Sequence, residues 1–274
     1  MKNCFFESNI STDTIKINKT IWLLWFQGWD NAPYIQKKVA ESWELNNPTW
    51  KVQYLDKDNL KDFINDTEYM YDESKEISLQ AKSDIIRLSL LKNHGGVWAD
   101  STLLCMQPLE SWIYHAIEPS DFWMYHGGGA GMKLEYGPAS WFIVSKKGSY
   151  IITKWKEKCD EYWQQNNFTN NYFWMDELFK ELFITDYQFY SEWMNVPYLC
   201  CESDGSSHTL DKYGVLENND YLKQLFKESP PYVLKFWNSY NEKLSTCDNN
   251  NEYINSNGFY AIEMSKRKFT YNHF

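Results

Sequence analysis

The chain has 274 residues and a formal net charge of −10. That length suits one large α/β domain with a real hydrophobic core, so folding requires no disulfide or metal staple. An acidic surface repels phosphate backbones, which excludes nucleic acid as a first-choice partner. Cys4, Cys105, Cys159, Cys200, Cys201 and Cys247 include no C-x-x-C pair. They read as reduced thiols rather than as a zinc site or a disulfide framework. The N-terminus has no apolar signal region, and no run reaches the roughly 18 apolar residues of a membrane span. These features predict a cytoplasmic protein, at most peripheral at the inner face of a membrane. Aromatic residues make up 18% of the chain, with 14 Trp and 20 Tyr. Most are expected in the core, and the rest can stack on sugar rings or bases.

Residues 20–26 (TIWLLWF) form a continuous apolar run followed by Gly28, Asp30 and Asn31, the pattern of a buried strand. Asp30 or Asn31 can cap a helix with Pro33 in its first turn. Ile35, Val39 and Trp43 give that helix one apolar stripe, and it stops near 46–48. Residues 51–55 alternate as a second strand, and 58–64 suggest a short helix. Residues 77–93 carry the clearest helical period, with Gly95 placed to end the helix. Gly96, Val97, Trp98 and Ala99 then form a third strand ending at Asp100. This alternation predicts a mainly parallel sheet with helices on its faces. Further on, 121–126 and 140–145 read as strands around a Gly-rich loop at 127–131, and 150–164 and 172–183 as helices. From 186 the pattern weakens to short strands, turns and aromatic clusters, with an Asn-rich surface loop at 248–251.

Sheets of this kind bind ligands beyond the carboxyl ends of their strands. Two candidate segments converge there: Trp25-Phe26-Gln27-Gly28 and Asp100-Ser101-Thr102. Asp100 puts a carboxylate at the rim, where it could meet a divalent cation and a diphosphate, or could simply cap a turn. Asp84 and Arg87 share a helix face at i, i+3. They could be a structural ion pair or a pair of sugar-hydroxyl ligands. Asp176 and Glu177 read first as a solvated helix face and second as acceptor-facing. The stretch from His126 to Gly129 lacks a G-x-S-x-G partner for esterase chemistry and a following G-K-[ST] for a P-loop. It reads as a loop near the acceptor side. His94, His115 and His208 have no metal-ligand spacing.

The segment SDIIRLSLLKNHGGVWADST (83–102) resembles the donor-site signature of the glycosyltransferase family 32-like group, and most of all its capsular polysaccharide synthesis branch. IWLLWFQGWDNAP (21–33), ESWELNNPTWKV (41–52) and SPPYVLKFW (229–237) are similar to other motifs of that branch. The resemblance is dense over 20–105 and thin after about 150. It implies one domain over 1–274 with a GT-A-like, Rossmann-type sheet. A nucleotide-sugar-binding core would occupy about 15–150. An irregular, aromatic-rich C-terminal part would carry the acceptor side.

Residue by residue, the resemblance assigns Trp25 to stacking on the donor base and Asp84 to ribose or sugar hydroxyls. Arg87 falls beside the transferred sugar, and Trp98 matches the aromatic before the aspartate motif. Asp100 matches the first aspartate of D-x-D and the ligand of Mn²⁺ or Mg²⁺. Gln27, Ser101 and Thr102 complete the donor contacts. Thr102 departs from the pattern: it stands where many relatives have a second aspartate, and a hydroxyl is a weaker cation ligand. Lys235, in the closing motif, is the candidate for the pyrophosphate and partly replaces the missing charge.

The implied reaction is hexosyl transfer with retention from a nucleotide diphosphate sugar, UDP-linked by expectation. The acceptor would be a glycan or lipid-linked saccharide in capsule or surface polysaccharide synthesis. Three other readings stay open at this level: a non-enzymic carbohydrate-binding protein, a degenerate transferase that binds nucleotide without turnover, and an enzyme that transfers a sugar phosphate rather than a sugar.

Overall fold

Strands buried along their whole length at 20–24, 96–99 and 122–126 build a sheet whose edge strand at 51–55 is only partly buried. In a computed structural model of the chain, residues 16–127, 138–245 and 255–267 are described. The strands are β1 (Thr20–Leu24), β2 (Lys51–Leu55), β3 (Gly96–Ala99), β4 (Leu103–Cys105), β5 (Phe122–His126), β6 (Pro138–Ser145) and β7 (Val233–Lys235). The five-stranded sheet has the order β2-β1-β3-β6-β5. β2 and β3 both pair with β1 in parallel. β6 runs antiparallel to β3, and β5 antiparallel to β6. The two reversals cancel, so β5 points the same way as β3 and only β6 runs against the rest. β4 and β7 form a separate antiparallel pair in which Leu103 faces Lys235.

The helices are α1 (Tyr34–Asn46), α2 (Leu79–His94), α3 (Ile113–Ile117), α4 (Tyr150–Gln165), α5 (Trp174–Thr185), α6 (Tyr187–Met194), α7 (Thr209–Tyr213), α8 (Asp220–Glu228), α9 (Tyr240–Ser245) and α10 (Asn257–Ser265). α2 begins two residues later than its apolar period suggests because the Ser78 hydroxyl accepts the Ala81 N–H and caps it. Side-chain acceptors at this position satisfy one of the free first-turn donors. α1 is capped differently from expectation. Residues Trp29–Asn31 close a 3₁₀ turn of their own, and Pro33 precedes the helix without a side-chain cap. The free Ile35 N–H instead donates to Asn241 Oδ1 at 2.8 Å. Gln36, fully buried, donates to Asn238 Oδ1 at 2.6 Å. At the other end Asn46 Nδ2 donates to the carbonyls of Cys105 and Ser265. α1 therefore ties the start of the chain to its C-terminal elements.

The short helix expected at 58–64 shrinks to a 3₁₀ turn at Leu60–Asp62. Beyond 186, where short strands were expected, the chain is mostly short helices. Phe189 and Trp193, one helical turn apart in α6, both pack edge-on against Phe179 of α5. Aromatic side chains at that spacing are a helix stripe, which composition alone hid. Cys105, Cys159, Cys200 and Cys201 are free and buried. Cys4, Cys247, the Asn-rich tract and the Gly-rich loop beyond Gly127 lie outside the described residues. No helix among the described residues is long and apolar enough to cross a membrane.

The turn from α2 into β3 is squeezed between the start of β1 and the end of β6. Gly95 has φ +70° and Gly96 φ +102°. A Cβ at Gly96 would lie 2.5 Å from the Thr20 carbonyl oxygen, and one at Gly95 2.5 Å from the Lys147 nitrogen. Both neighbours are backbone and cannot swing away. Gly96→Ala should therefore cost about 2–4 kcal/mol of stability, combining strain at positive φ with a backbone clash. Chemical denaturation measures it, and a loss under about 0.5 kcal/mol contradicts this packing.

Candidate active site

The carboxyl ends of β1 and β3 and the amino end of the reversed strand β6 open on one cleft of about 980 Å³. Trp25 and Gln27 follow β1, Asp100, Ser101 and Thr102 follow β3, and Ser140 and Trp141 enter on β6. Asp84 and Arg87 reach it from α2, and Lys235 from the end of β7. Every residue that the resemblance assigned to the donor site thus lines the same cavity: Trp25, Gln27, Asp84, Arg87, Trp98, Asp100, Ser101, Thr102 and Lys235.

Arg87 is the hub. It is 6% exposed. Its Nη2 lies 3.0 Å from Asp84 Oδ1 and 3.5 Å from Asp100 Oδ1. Nη1 donates to the Ser140 carbonyl at 2.6 Å and to its hydroxyl at 3.2 Å. The guanidinium carbon lies 5.2 Å from the centre of the Trp98 ring. The Asp84–Arg87 pair of the sequence reading is therefore both an ion pair and a wall of the cleft. Trp98, 1% exposed, does not stand out into the cavity. Its indole N–H donates to Asp100 Oδ1 at 3.1 Å and aims that carboxylate. On the other side of Asp100, Lys235 Nζ donates to Oδ2 at 2.8 Å. Lys235 is 7% exposed, and its backbone N–H donates to the Ser206 carbonyl.

The charges split the acids of the cleft into two kinds. Burial raises the Asp100 carboxyl, but Lys235 and Arg87 outweigh it and hold Asp100 below the usual carboxylate range. Burial pushes Asp84 up to about 6; Arg87 opposes the rise, and nearby Asp100 adds to it. Trp174 Nε1 donates to Asp84 Oδ2 at 3.2 Å. Burial also pushes Asp176 up to about 7, reinforced by Asp84 and opposed by Arg87. One firmly ionised carboxylate thus faces two whose protons leave at higher pH than an ordinary carboxyl's.

Asp100 is the position at which the resemblance implies a divalent cation. Its surroundings do not fit one. Both carboxylate oxygens already accept from nitrogen, one from an ammonium and the other from an indole beside a guanidinium. A hard dication takes its ligands from carboxylate, carbonyl or water oxygens, and fixed positive charge beside them opposes it. Thr102 brings a neutral hydroxyl, and its carbonyl is taken by the Phe236 N–H. Among the described residues no group of three His, Cys, Asp or Glu is arranged to hold a metal.

Asp176 was read first as part of a solvated helix face. It is 7% exposed and lines the cleft, whereas Glu177 is exposed. The available signal was its spacing three residues from Phe173 and Phe179, on the apolar side of α5. Tyr172, Glu202, Ser207, His208, Trp237 and Asn238 also line the cavity and were not singled out. His126 is not an open loop residue: it is 3% exposed, with its ring 4.3 Å from Trp193 and 4.6 Å from Tyr198. Burial depresses its pKa to about 4, so it is neutral packing.

The family model described as capsular polysaccharide synthesis protein matches residues 2–257. The chain belongs to the capsular polysaccharide synthesis protein family. Among curated proteins it is 29% identical over 156 residues to "Glycosyltransferase afumC" of Aspergillus fumigatus, covering 51% of this chain and 39% of that protein. It is 25% identical over 165 residues to "O-glycosyltransferase braB" of Annulohypoxylon truncatum, covering 53% and 38%. The chain thus spans about two fifths of the length of these relatives. Among solved structures, "PaToxG Glycosyltransferase" aligns with a TM-score of 0.43 at 14% identity, covering 91% of this chain and 87% of that one. For this capsular-synthesis family member, the site is defined by its own geometry.

That geometry makes stability sensitive to pH. Asp176 binds its proton more tightly folded than unfolded, so the stability tied to its protonated form is present below the usual carboxylate range. It is lost as pH rises through about 7. Asp176→Asn should therefore gain about 2–4 kcal/mol over the parent between pH 4 and pH 8. Urea unfolding at both pH values measures this, and an equal difference at both would show a solvated carboxylate.

Proposed function

We propose that this chain is a glycosyltransferase that moves a hexosyl unit from a UDP-sugar to a glycan or lipid-linked saccharide in capsular or surface polysaccharide synthesis. One observation carries the reading: Asp84, Arg87, Asp100 and Lys235 converge in a single cleft at the carboxyl ends of β1 and β3. A carboxylate and a guanidinium side by side suit sugar hydroxyls, and the ammonium beside them suits a diphosphate.

In this reading Trp25, half-buried after β1, offers its face to the base, and Gln27 offers its amide. Ser101 and Thr102 contribute hydroxyls beside the diphosphate. Asp84 and Arg87 hold the sugar so that its anomeric carbon meets the acceptor oxygen. Tyr172 and Asp176, which line the same cleft, are assigned to the acceptor side. The bond from the anomeric carbon to the β-phosphate oxygen breaks, and its electron pair stays with the diphosphate. The acceptor oxygen bonds to that carbon, and its proton passes to the departing phosphate. Fixed positive charge at that oxygen lowers the barrier. Retention follows if the acceptor enters on the face the diphosphate leaves. Asp84 and Asp100 are both tied to cations, so neither is free to form a glycosyl–enzyme bond.

A panel of UDP- and GDP-sugars, scored by melting temperature and by donor hydrolysis, tests this reading. A shift with the matching nucleotide and slow release of the nucleoside diphosphate are expected. No shift with any nucleotide or nucleotide sugar at millimolar concentration sinks it, and binding of free sugar alone would indicate a carbohydrate-binding protein. Arg87→Lys keeps a charge but cannot span Asp84, Asp100 and Ser140 together. It should lower turnover about 100-fold, whereas a change within about threefold would remove Arg87 from the reacting centre.

A further inference from the structure

We propose that this transferase works without a divalent cation, Lys235 standing on Asp100 where a metal would stand and receiving the diphosphate in its place. The inference rests on the transferase reading above. It begins with the ligand supply. The aspartate motif is Asp100-Ser101-Thr102, so it offers a cation one carboxylate and two neutral hydroxyls. That carboxylate is already matched by positive charge on both oxygens, at 2.8 Å from Lys235 and 3.5 Å from Arg87.

Lys235 is not a surface lysine that fell there by chance. It is 7% exposed and ends β7, paired in register with Leu103, one residue after Thr102. Its own N–H is held by the Ser206 carbonyl, and the next N–H, of Phe236, by the Thr102 carbonyl. Its ammonium lies 5.7 Å from the centre of the Trp237 ring. The backbone therefore delivers the ammonium to the aspartate motif with little freedom to leave. A second cation at Asp100 would sit against this fixed charge beside a carboxylate that is only a quarter exposed.

Asp100 is then a positioning residue. It aims Lys235 and Arg87, and an incoming diphosphate shares both cations with it. During transfer the bond between the anomeric carbon and the phosphate oxygen breaks towards the diphosphate, and Lys235 and Arg87 face the charge that develops there. The acceptor's proton ends on the released diphosphate, so no further reactant is needed.

The test is calorimetric titration of UDP into the full chain after exhaustive chelation, then in millimolar Mn²⁺, with donor hydrolysis followed in parallel. Affinity and hydrolysis within about threefold between the two conditions are expected. Binding or turnover that appears only with metal, or rises more than about tenfold, overturns the proposal while leaving the transferase reading intact. No nucleotide binding under either condition defeats that reading and the proposal with it. Lys235→Met should weaken UDP binding at least tenfold without metal, roughly one step on the affinity scale, and Lys235→Arg should recover most of the loss. A folded Lys235→Met protein that binds UDP like the parent overturns the assignment. Should that variant not fold, the comparison with and without chelator still decides.

Discussion

A buried guanidinium is the constraint on which this site depends. Arg87 cannot lose its charge, so the fold must surround it with acceptors. It does so with Asp84 on its own helix, Asp100 at the end of β3 and the Ser140 carbonyl at the start of β6. Three separate elements are thereby fixed relative to one another around one side chain. Removing the cation would take the ion-pair partner from buried Asp84 and leave Asp100 to Lys235 alone, the kind of loss that costs about 3–5 kcal/mol. Sheet topology makes the arrangement possible. Because β6 alone runs against its neighbours, its first residues arrive at the edge where β1 and β3 end.

The legible part of the molecule is the part whose information is local in sequence. The α2–β3 unit places Asp84, Arg87, Gly95, Gly96 and Asp100 within one helix, one turn and one strand. Its period, cap and strand end follow from simple rules. β2 matches its expected bounds for the same reason: alternation over 51–55 leaves one register. α1 was visible as a stripe, but its cap was not, since Asn241 lies 206 residues away.

The rest of the cleft lining was harder. Asp176 sits on a helix with apolar residues on several sides, so its spacing from Phe173 and Phe179 was a weak signal of its face. Glu202, Ser207 and His208 arrive on a loop between α6 and α7, where tertiary contacts decide position. The weak strand signals after 186 reflect aromatic residues, which favour strands by composition and here pack as helix stripes. Lys235 was found through its motif, but its contact with Asp100 spans 135 positions and only the β4–β7 pairing reveals it.

The capping of α1 by Asn241 has a consequence for how the molecule is made. During synthesis the sheet strands β1 to β3 and the α2 acid–base pair leave the ribosome long before residues 235–241. Until those residues emerge, α1 lacks a partner for its first turn and Asp100 lacks its ammonium. The cleft is therefore assembled late: a nascent chain carrying the whole of 83–102 still lacks the two partners that close it. The segment 235–241 works as a latch, joining its own emergence to the completion of the cleft.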